Sequence, residues 1–195
     1  MIDLDIAVAR GDFQLEIEAS LDNGISAIFG PSGSGKSTIL ACIAGLMRPD
    51  SGSIILDGES LFDSTTNVHI SPENRSVGLV FQDGALFPHL DVRGNIEFGA
   101  RYGTPGDCKV SPDQLMRLLD IFDLAPRNIA DLSGGERQRV ALAQSFAAGP
   151  RELLLDEPVA SLDARLRSYR LRSGRSFWTS TLIQPSCSAK RYCPR

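Results

Sequence analysis

Alternating apolar and polar residues open the chain. Ile2, Leu4, Ile6 and Val8, then Phe13, Leu15, Ile17 and Ala19, fall at the period of two that predicts half-buried strands over 2–8 and 13–19. Arg10-Gly11-Asp12 between them predicts a hairpin turn, and Asp22-Asn23-Gly24 a second turn. The period then changes. Ile25-Ser26-Ala27-Ile28-Phe29 is a short apolar run suited to a buried strand, and Ile39, Leu40, Ile43, Ala44 and Leu46 follow at helical spacing. Arg48-Pro49-Asp50-Ser51-Gly52 is a turn, and Ser53 to Gly58 reads as a strand and its turn. Val77-Gly78-Leu79-Val80-Phe81 is a further buried strand that ends at Gln82.

The second half alternates loops with helices. Gly94, Gly99, Gly103 and Gly106 make 91–106 loop-rich. Ser111-Pro112-Asp113 then starts a helix as N-cap, first-turn proline and first-turn acid. Leu115, Leu118, Leu119 and Phe122 give that helix one apolar face, and Pro126 stops it. Ser133-Gly134-Gly135-Glu136 has the spacing of a capping box, at a helix end that is either plainly capped or aimed at a ligand. Leu153-Leu154-Leu155 is an apolar strand ending in two carboxylates, Asp156 and Glu157.

Composition sets bounds. The 195 residues, 42% of them apolar, suffice for one globular domain with its own core. No run of eighteen apolar residues occurs and Met1 to Phe13 lacks a signal-peptide layout, so a cytoplasmic protein is expected. Cys42, Cys108, Cys187 and Cys193 show no C-x-x-C pairing and read as free thiols. The net charge of −4 hides an asymmetry: every acid lies at or before Asp163, whereas Ala164 to Arg195 carries eight Lys/Arg and no acid.

The chemistry concentrates between the first apolar run and the first helix. Gly30-Pro31-Ser32-Gly33-Ser34-Gly35-Lys36-Ser37-Thr38 fits the phosphate-loop pattern G-x-x-x-x-G-K-[ST] at every fixed position. Glycines let backbone N–H groups close around oxyanions, and the following helix N-terminus adds partial positive charge. Lys36 can reach the β- and γ-phosphates and the Ser37 hydroxyl can hold Mg²⁺. This predicts binding of a nucleoside triphosphate.

Leu132-Ser133-Gly134-Gly135-Glu136-Arg137-Gln138 and Leu153-Leu154-Leu155-Asp156-Glu157 follow the phosphate loop in that order. With them the chain resembles the ATP-binding cassette (ABC) ATPases over about Ile2 to Arg167. The resemblance implies ATP and Mg²⁺ as cofactors, with Gly30 to Thr38 around the phosphates. It implies Ser37, Gln82 and Asp156 as metal ligands, the last through water, and Glu157 as the general base beside Lys36 and Gln82. Ser133, Gly134 and Gly135 would contact the γ-phosphate on a second copy, since the family binds ATP between two cassettes in a homodimer. Ser161-Leu162-Asp163 would form the loop that communicates across that interface. Phe13 has two readings, stacking on adenine or a strand-face core residue.

Ile70 to Gly99 resembles the ATP-binding subunits of bacterial importers that use a periplasmic binding protein. Asn23 to Gly30 and Val92-Arg93-Gly94-Asn95 are most similar to the molybdate branch, though the sulfate, iron and sugar branches share most of the pattern. The implied partners are transmembrane permease subunits, met by Phe87, Pro88 and Leu90, at the cytoplasmic face of the inner membrane, with no nucleic acid.

The expected fold class is α/β: a P-loop NTPase cassette with an antiparallel β-subdomain, a mostly parallel core and a helical subdomain over about 90–147, truncated at the C-terminus. Residues 1–167 form the cassette; 168–195 read as an aberrant basic tail, as an out-of-frame reading would give, or as a genuine tail for an anionic partner. The family's histidine after the signature is absent, His69 and His89 both preceding it. That opens a second reading, a silent cassette that only binds nucleotide. A soluble ABC ATPase acting on DNA or ribosomes is a third, although neither a coiled-coil insertion nor a second cassette is visible.

Overall fold

The computed structural model of this protein describes residues 1–81, 84–103 and 110–156, and the backbone of 180–183. The chain divides into two compact units, Met1–Ser71 with Ser176–Arg195, and Pro72–Arg175.

The first unit is built on the alternating strands. β1 (Ile2–Arg10) and β2 (Phe13–Leu21) form an antiparallel hairpin whose register closes at Arg10↔Phe13, with Gly11 at φ +56 in the two-residue turn. β4 (Ser51–Leu56), β5 (Glu59–Asp63) and β6 (Val68–His69) extend the sheet in the order β2-β1-β4-β5-β6. Asp57 and Gly58, both at positive φ, turn β4 into β5 in the manner of a primed hairpin turn. One face supplies the core: Ile2, Leu4, Ile6, Val8, Ile54, Leu56, Leu61 and Phe62 are all buried. Gly52 is required by close approach, because a Cβ there would lie 1.8 Å from the Asp5 carbonyl oxygen. The same unit holds β3 (Ile25–Ile28) and α1 (Lys36–Ala44), which buries Ile39, Cys42, Ile43 and Ala44 and ends on Gly45 at φ +81. Leu46, which its spacing placed on the helix face, lies past this stop and is 55% exposed. β9 (Ser180–Ile183) runs parallel to β3, with Ile25 opposite Ser180.

The second unit holds β7 (Val77–Val80), α2 (Val92–Tyr102), α3 (Pro112–Leu118), α4 (Gly134–Ala147) and β8 (Glu152–Leu155). β7 and β8 pair in parallel, Val77 opposite Glu152 and Val80 opposite Leu155. The core joins Val80, Val92, Ile96, Leu115, Met116, Leu119, Val140 and Ala143. α3 starts as its sequence predicts, with Ser111 and Gln114 in a reciprocal capping box, but it ends at Leu118 rather than at Pro126. Asp120 at φ +55 breaks it, and Phe122–Leu124 continues as one 3₁₀ turn.

The loop-rich reading of 91–106 is corrected: Val92–Tyr102 is an α-helix, N-capped by the Asp91 carboxylate, which accepts from the Gly94 N–H at 2.6 Å. Its glycines serve packing rather than turning. A Cβ on Gly99 would sit 2.1 Å from the Gln144 carbonyl oxygen, and one on Gly103 2.1 Å from that of Ala148. Of the expected mostly parallel core, the described residues show two separate parallel pairs, β3 with β9 in the first unit and β7 with β8 in the second.

Candidate functional site

β3 ends at Ile28 and α1 starts at Lys36, so the predicted phosphate loop is the connection between them. Gly33 takes φ +77 and Gly35 φ +95, the left-handed region where glycine is unstrained. Within the loop the Ser34 N–H donates to the Pro31 carbonyl at 3.2 Å. Gly35 is the N-cap of α1 and brings no side-chain hydrogen bond, so the first-turn amides depend on some other acceptor. The Lys36 ammonium donates to the carbonyls of Gly30 and Pro31, both at 3.0 Å, which arches the side chain over its own loop. An uncapped helix start with a lysine folded across it fits a polyanion: phosphate oxygens would satisfy the amides and draw the ammonium from its carbonyls. Phe13 of β2 stands beside this loop, its Cζ 3.0 Å from where a Gly35 Cβ would be, and the ring is half-buried.

In the second unit, Ser133, Gly134 and Gly135 form the start of α4. The Ser133 hydroxyl accepts from the Glu136 N–H at 3.3 Å. The Glu136 carboxylate in turn accepts from the Ser133 hydroxyl and N–H, both at 2.7 Å. These bonds, the hydroxyl first and the N–H second, hold the Glu136 carboxyl below its ordinary pKa. Arg137 fixes the turn from the other side, Nη1 donating to the Leu132 carbonyl at 2.6 Å. The capping box predicted from Ser133 to Glu136 is therefore formed. A Cβ at Gly134 would meet nothing within 4 Å, so neither its conformation nor crowding within the chain calls for glycine there.

Asp156 follows β8, and its N–H donates to the Val80 carbonyl at 3.0 Å. The strand register thus sends the chain out of β7 and β8 at the same edge. Hydroxyl and carboxylate oxygens, Ser37 in one unit and Asp156 in the other, are donors of the kind Mg²⁺ takes alongside phosphate and water. Gln82 and Glu157 lie outside the described residues, as does Ser161 to Asp163. Among the described residues no cluster of three His, Cys, Asp or Glu forms a metal site of its own.

Asn95 was given no role by its sequence and has one in the structure. Fully buried, it accepts the Phe87 N–H at 2.8 Å and donates to the carbonyls of Phe87, Leu90 and Asp91 at 3.1, 3.3 and 2.9 Å. An asparagine inside a helix, four residues after its N-cap, is the signal that marks it. Beside this clamp Phe87, Phe98 and Tyr102 stack in series, with ring centroids 4.3 and 4.5 Å apart. Phe98 and Tyr102 are exposed.

A glycine loop joining a strand to a helix, an antiparallel β-subdomain, and a helical subdomain headed by Leu132 to Gln138 define an ATP-binding cassette. A family model described as "ABC transporter" matches residues 16–160, and the chain belongs to that family. It is similar to the molybdenum import ATP-binding protein ModC of Paramagnetospirillum magneticum, 48% identical over 84% of this chain and 45% of that protein. It is likewise similar to ModC of Rhodospirillum rubrum, 46% identical over 85% of this chain and 45% of that one. The chain spans less than half the length of these relatives. Among solved structures it resembles a dimeric post-hydrolysis state of the ATP-binding cassette MJ0796 bound to ADP and Pi. That match has a TM-score of 0.68 and 26% identity, over 85% of this chain and 77% of that one.

Proposed function

We propose that this chain is the nucleotide-binding part of an importer subunit that binds ATP with Mg²⁺ and couples its hydrolysis to uptake of molybdate. The observation that carries this reading is the uncapped, glycine-lined start of α1 in a chain 44–48% identical to molybdenum import ATP-binding proteins. When bound, Mg²⁺ and the triphosphate supply the electrophilic phosphorus and part of the charge neutralisation. The residues do the rest. The amides of Gly33 to Thr38 hold phosphate oxygens, and Lys36 balances the charge that shifts during transfer. Ser37 and Gln82, and Asp156 through water, would hold the Mg²⁺, and Glu157 would take the proton of the attacking water. Phe13, whose ring edge lies beside Gly35 of the loop, is the residue we assign to the base.

Half of each site comes from a second copy, whose Ser133, Gly134 and Gly135 meet the γ-phosphate, so the working form is a homodimer. The exposed Phe98 and Tyr102, with Phe87, Pro88 and Leu90, form the face toward the permease subunits at the cytoplasmic side of the inner membrane. No described helix is long and apolar enough to cross a membrane. Residues 1–167 make up the cassette; 168–195 are a tail set apart by composition, from which β9 reaches β3.

The test is Mg²⁺-dependent hydrolysis by the purified chain beside Glu157→Gln, with fluorescent-nucleotide binding in parallel. Hydrolysis abolished by the substitution supports the reading. Binding equal in both with no turnover leaves a cassette that binds nucleotide without catalysis, and failure to bind at all overturns the reading. Uptake of labelled molybdate rather than sulfate, by vesicles carrying the assembled permease, tests the cargo.

A further inference from the structure

We propose that Glu136 is a positioning residue with two seats, one on Ser133 and one on the Nε of Arg139, and that its move from the first to the second frees the serine to donate to a phosphate. This rests on the two-copy reading above, in which Ser133 meets the nucleotide held by a second chain.

A serine hydroxyl has one proton to give and two lone pairs with which to accept. At Ser133 the proton goes to the Glu136 carboxylate, at 2.7 Å, and a lone pair takes the Glu136 N–H, at 3.3 Å. The Ser133 N–H is committed to the same carboxylate, again at 2.7 Å. Ser133 and Gly134 are exposed, so a phosphate can reach this turn from solvent. What it meets there is a lone pair and a carboxylate. Both are acceptors, as phosphate oxygens are, and the carboxylate adds like charge. The turn as it stands repels the ligand assigned to it, and binding needs the carboxylate elsewhere.

Arg139 supplies the place. It follows Glu136 by three residues, a spacing at which side chains on a helix are neighbours. Its Nε is buried and has no hydrogen-bond partner among the described residues. A buried donor left so is costly, and a carboxylate is a strong acceptor for it. The guanidinium also lies back along the helix toward the serine turn, with Nη1 3.9 Å from where a Gly135 Cβ would stand. The other cations fit less well. Arg137 already donates to the Leu132 carbonyl at 2.6 Å, and Arg127 is exposed, where water satisfies it. The Glu136 charge is favoured first by the Ser133 hydroxyl, next by the Ser133 N–H and then, against the opposing effect of burial, by Arg127 and Arg139. The exchange gives up two bonds at Ser133 and gains one charge-assisted bond to a buried donor. It leaves both Ser133 donors open to phosphate oxygens. The seat on Ser133 is the one this structure shows, so it lowers the apparent affinity between copies by the fraction of chains whose turn is open.

The test uses the full chain carrying Glu157→Gln, so that ATP is retained, and reads ATP-dependent dimerisation by sedimentation. Adding Glu136→Ala removes the competing carboxylate and should tighten the dimer by about fivefold or more. Arg139→Lys keeps the charge but puts a methylene where Nε stands, and should weaken the dimer by about fivefold or more. With Glu136→Ala already present, Arg139→Lys should change the dimer by less than about twofold, because the second seat then has no occupant. A carboxylate that only caps the helix predicts the reverse: a looser dimer in Glu136→Ala, and an Arg139→Lys effect that ignores Glu136. Either result would overturn the proposal. NMR of the chain without nucleotide gives a second measurement. In Ser133→Ala the carboxylate has lost its hydroxyl partner, so the Arg139 Nε–H proton should move downfield and exchange with water at least about threefold more slowly. An unmoved signal overturns the second seat, and this measurement decides if Glu136→Ala fails to fold. A parent that forms no ATP-dependent dimer fails the two-copy reading instead, and leaves the NMR result to decide whether the carboxylate has two positions.

Discussion

Two helix starts in this molecule solve one problem in opposite ways. Each leaves first-turn amides without helical partners. At α4 the chain closes them itself, Ser133 accepting from the Glu136 N–H while Glu136 reaches back to the Ser133 N–H. At α1 it declines to, with Gly35 as N-cap and no side-chain hydrogen bond. The first start carries its own side-chain cap, and the second leaves that place to a ligand. The difference teaches how an anion site is recognised: by the missing cap rather than by the helix. It also leaves the Glu136 carboxylate lying across Ser133 at the start of α4.

The comparison breaks hardest at α1. Lys36→Ala should weaken ATP binding by about 100-fold or more, measured by fluorescent-nucleotide titration, because the ammonium held over the loop is gone. Ser133→Ala should weaken that titration far less than Lys36→Ala does and lower the stability of the α4 unit by about 1 kcal/mol in chemical denaturation, the cost of a lost cap. Glu136→Gln sharpens the contrast through pH. The native Glu136 carboxyl is held below its ordinary value by the Ser133 hydroxyl and N–H. Its contribution is therefore full above the unfolded carboxyl's pKa and lost as pH falls through the lower folded value. Glutamine preserves the box geometry but should flatten that acid dependence in denaturation curves between neutral and acidic pH. The smallest effect is away from both helices. Asp63, whose carboxylate accepts from the Thr65 hydroxyl and the Thr65 and Thr66 N–H groups, should titrate at about 2 by NMR. Asp63→Asn should remove only the small acid-side dependence that vanishes as pH drops toward that value.

How much of this was legible follows the range of the interaction. The phosphate loop, the hairpin at Gly11 and the Ser133–Glu136 box are local patterns, and each was readable from a few adjacent residues. α2 was not, because its glycines look like loop signals until Gln144 and Ala148, more than forty residues on, are brought against them. Asn95 was hidden for the same reason, its partners being backbone groups of a turn that exists only once α2 forms. β5 and β6 went unread because they are short and mixed, and depend on β4 for their register. Lys36 and Asp156 belong to separate units and Glu157 lies outside the described residues, so the sequence order of the three had to stand in for their geometry.

The pairing of β3 with β9 has a consequence for how the chain comes to be folded. β1, β2, β4 and β5 find their partners within about 60 residues, and a growing chain can complete their sheet early. β3, which feeds the phosphate loop, must wait until Ser180 to Ile183 has been made before its parallel neighbour exists. Until that stretch is made, the strand beneath the nucleotide loop lacks the one neighbour it has among the described residues, and that interval is when the nascent chain is most exposed to mispairing with another copy of itself.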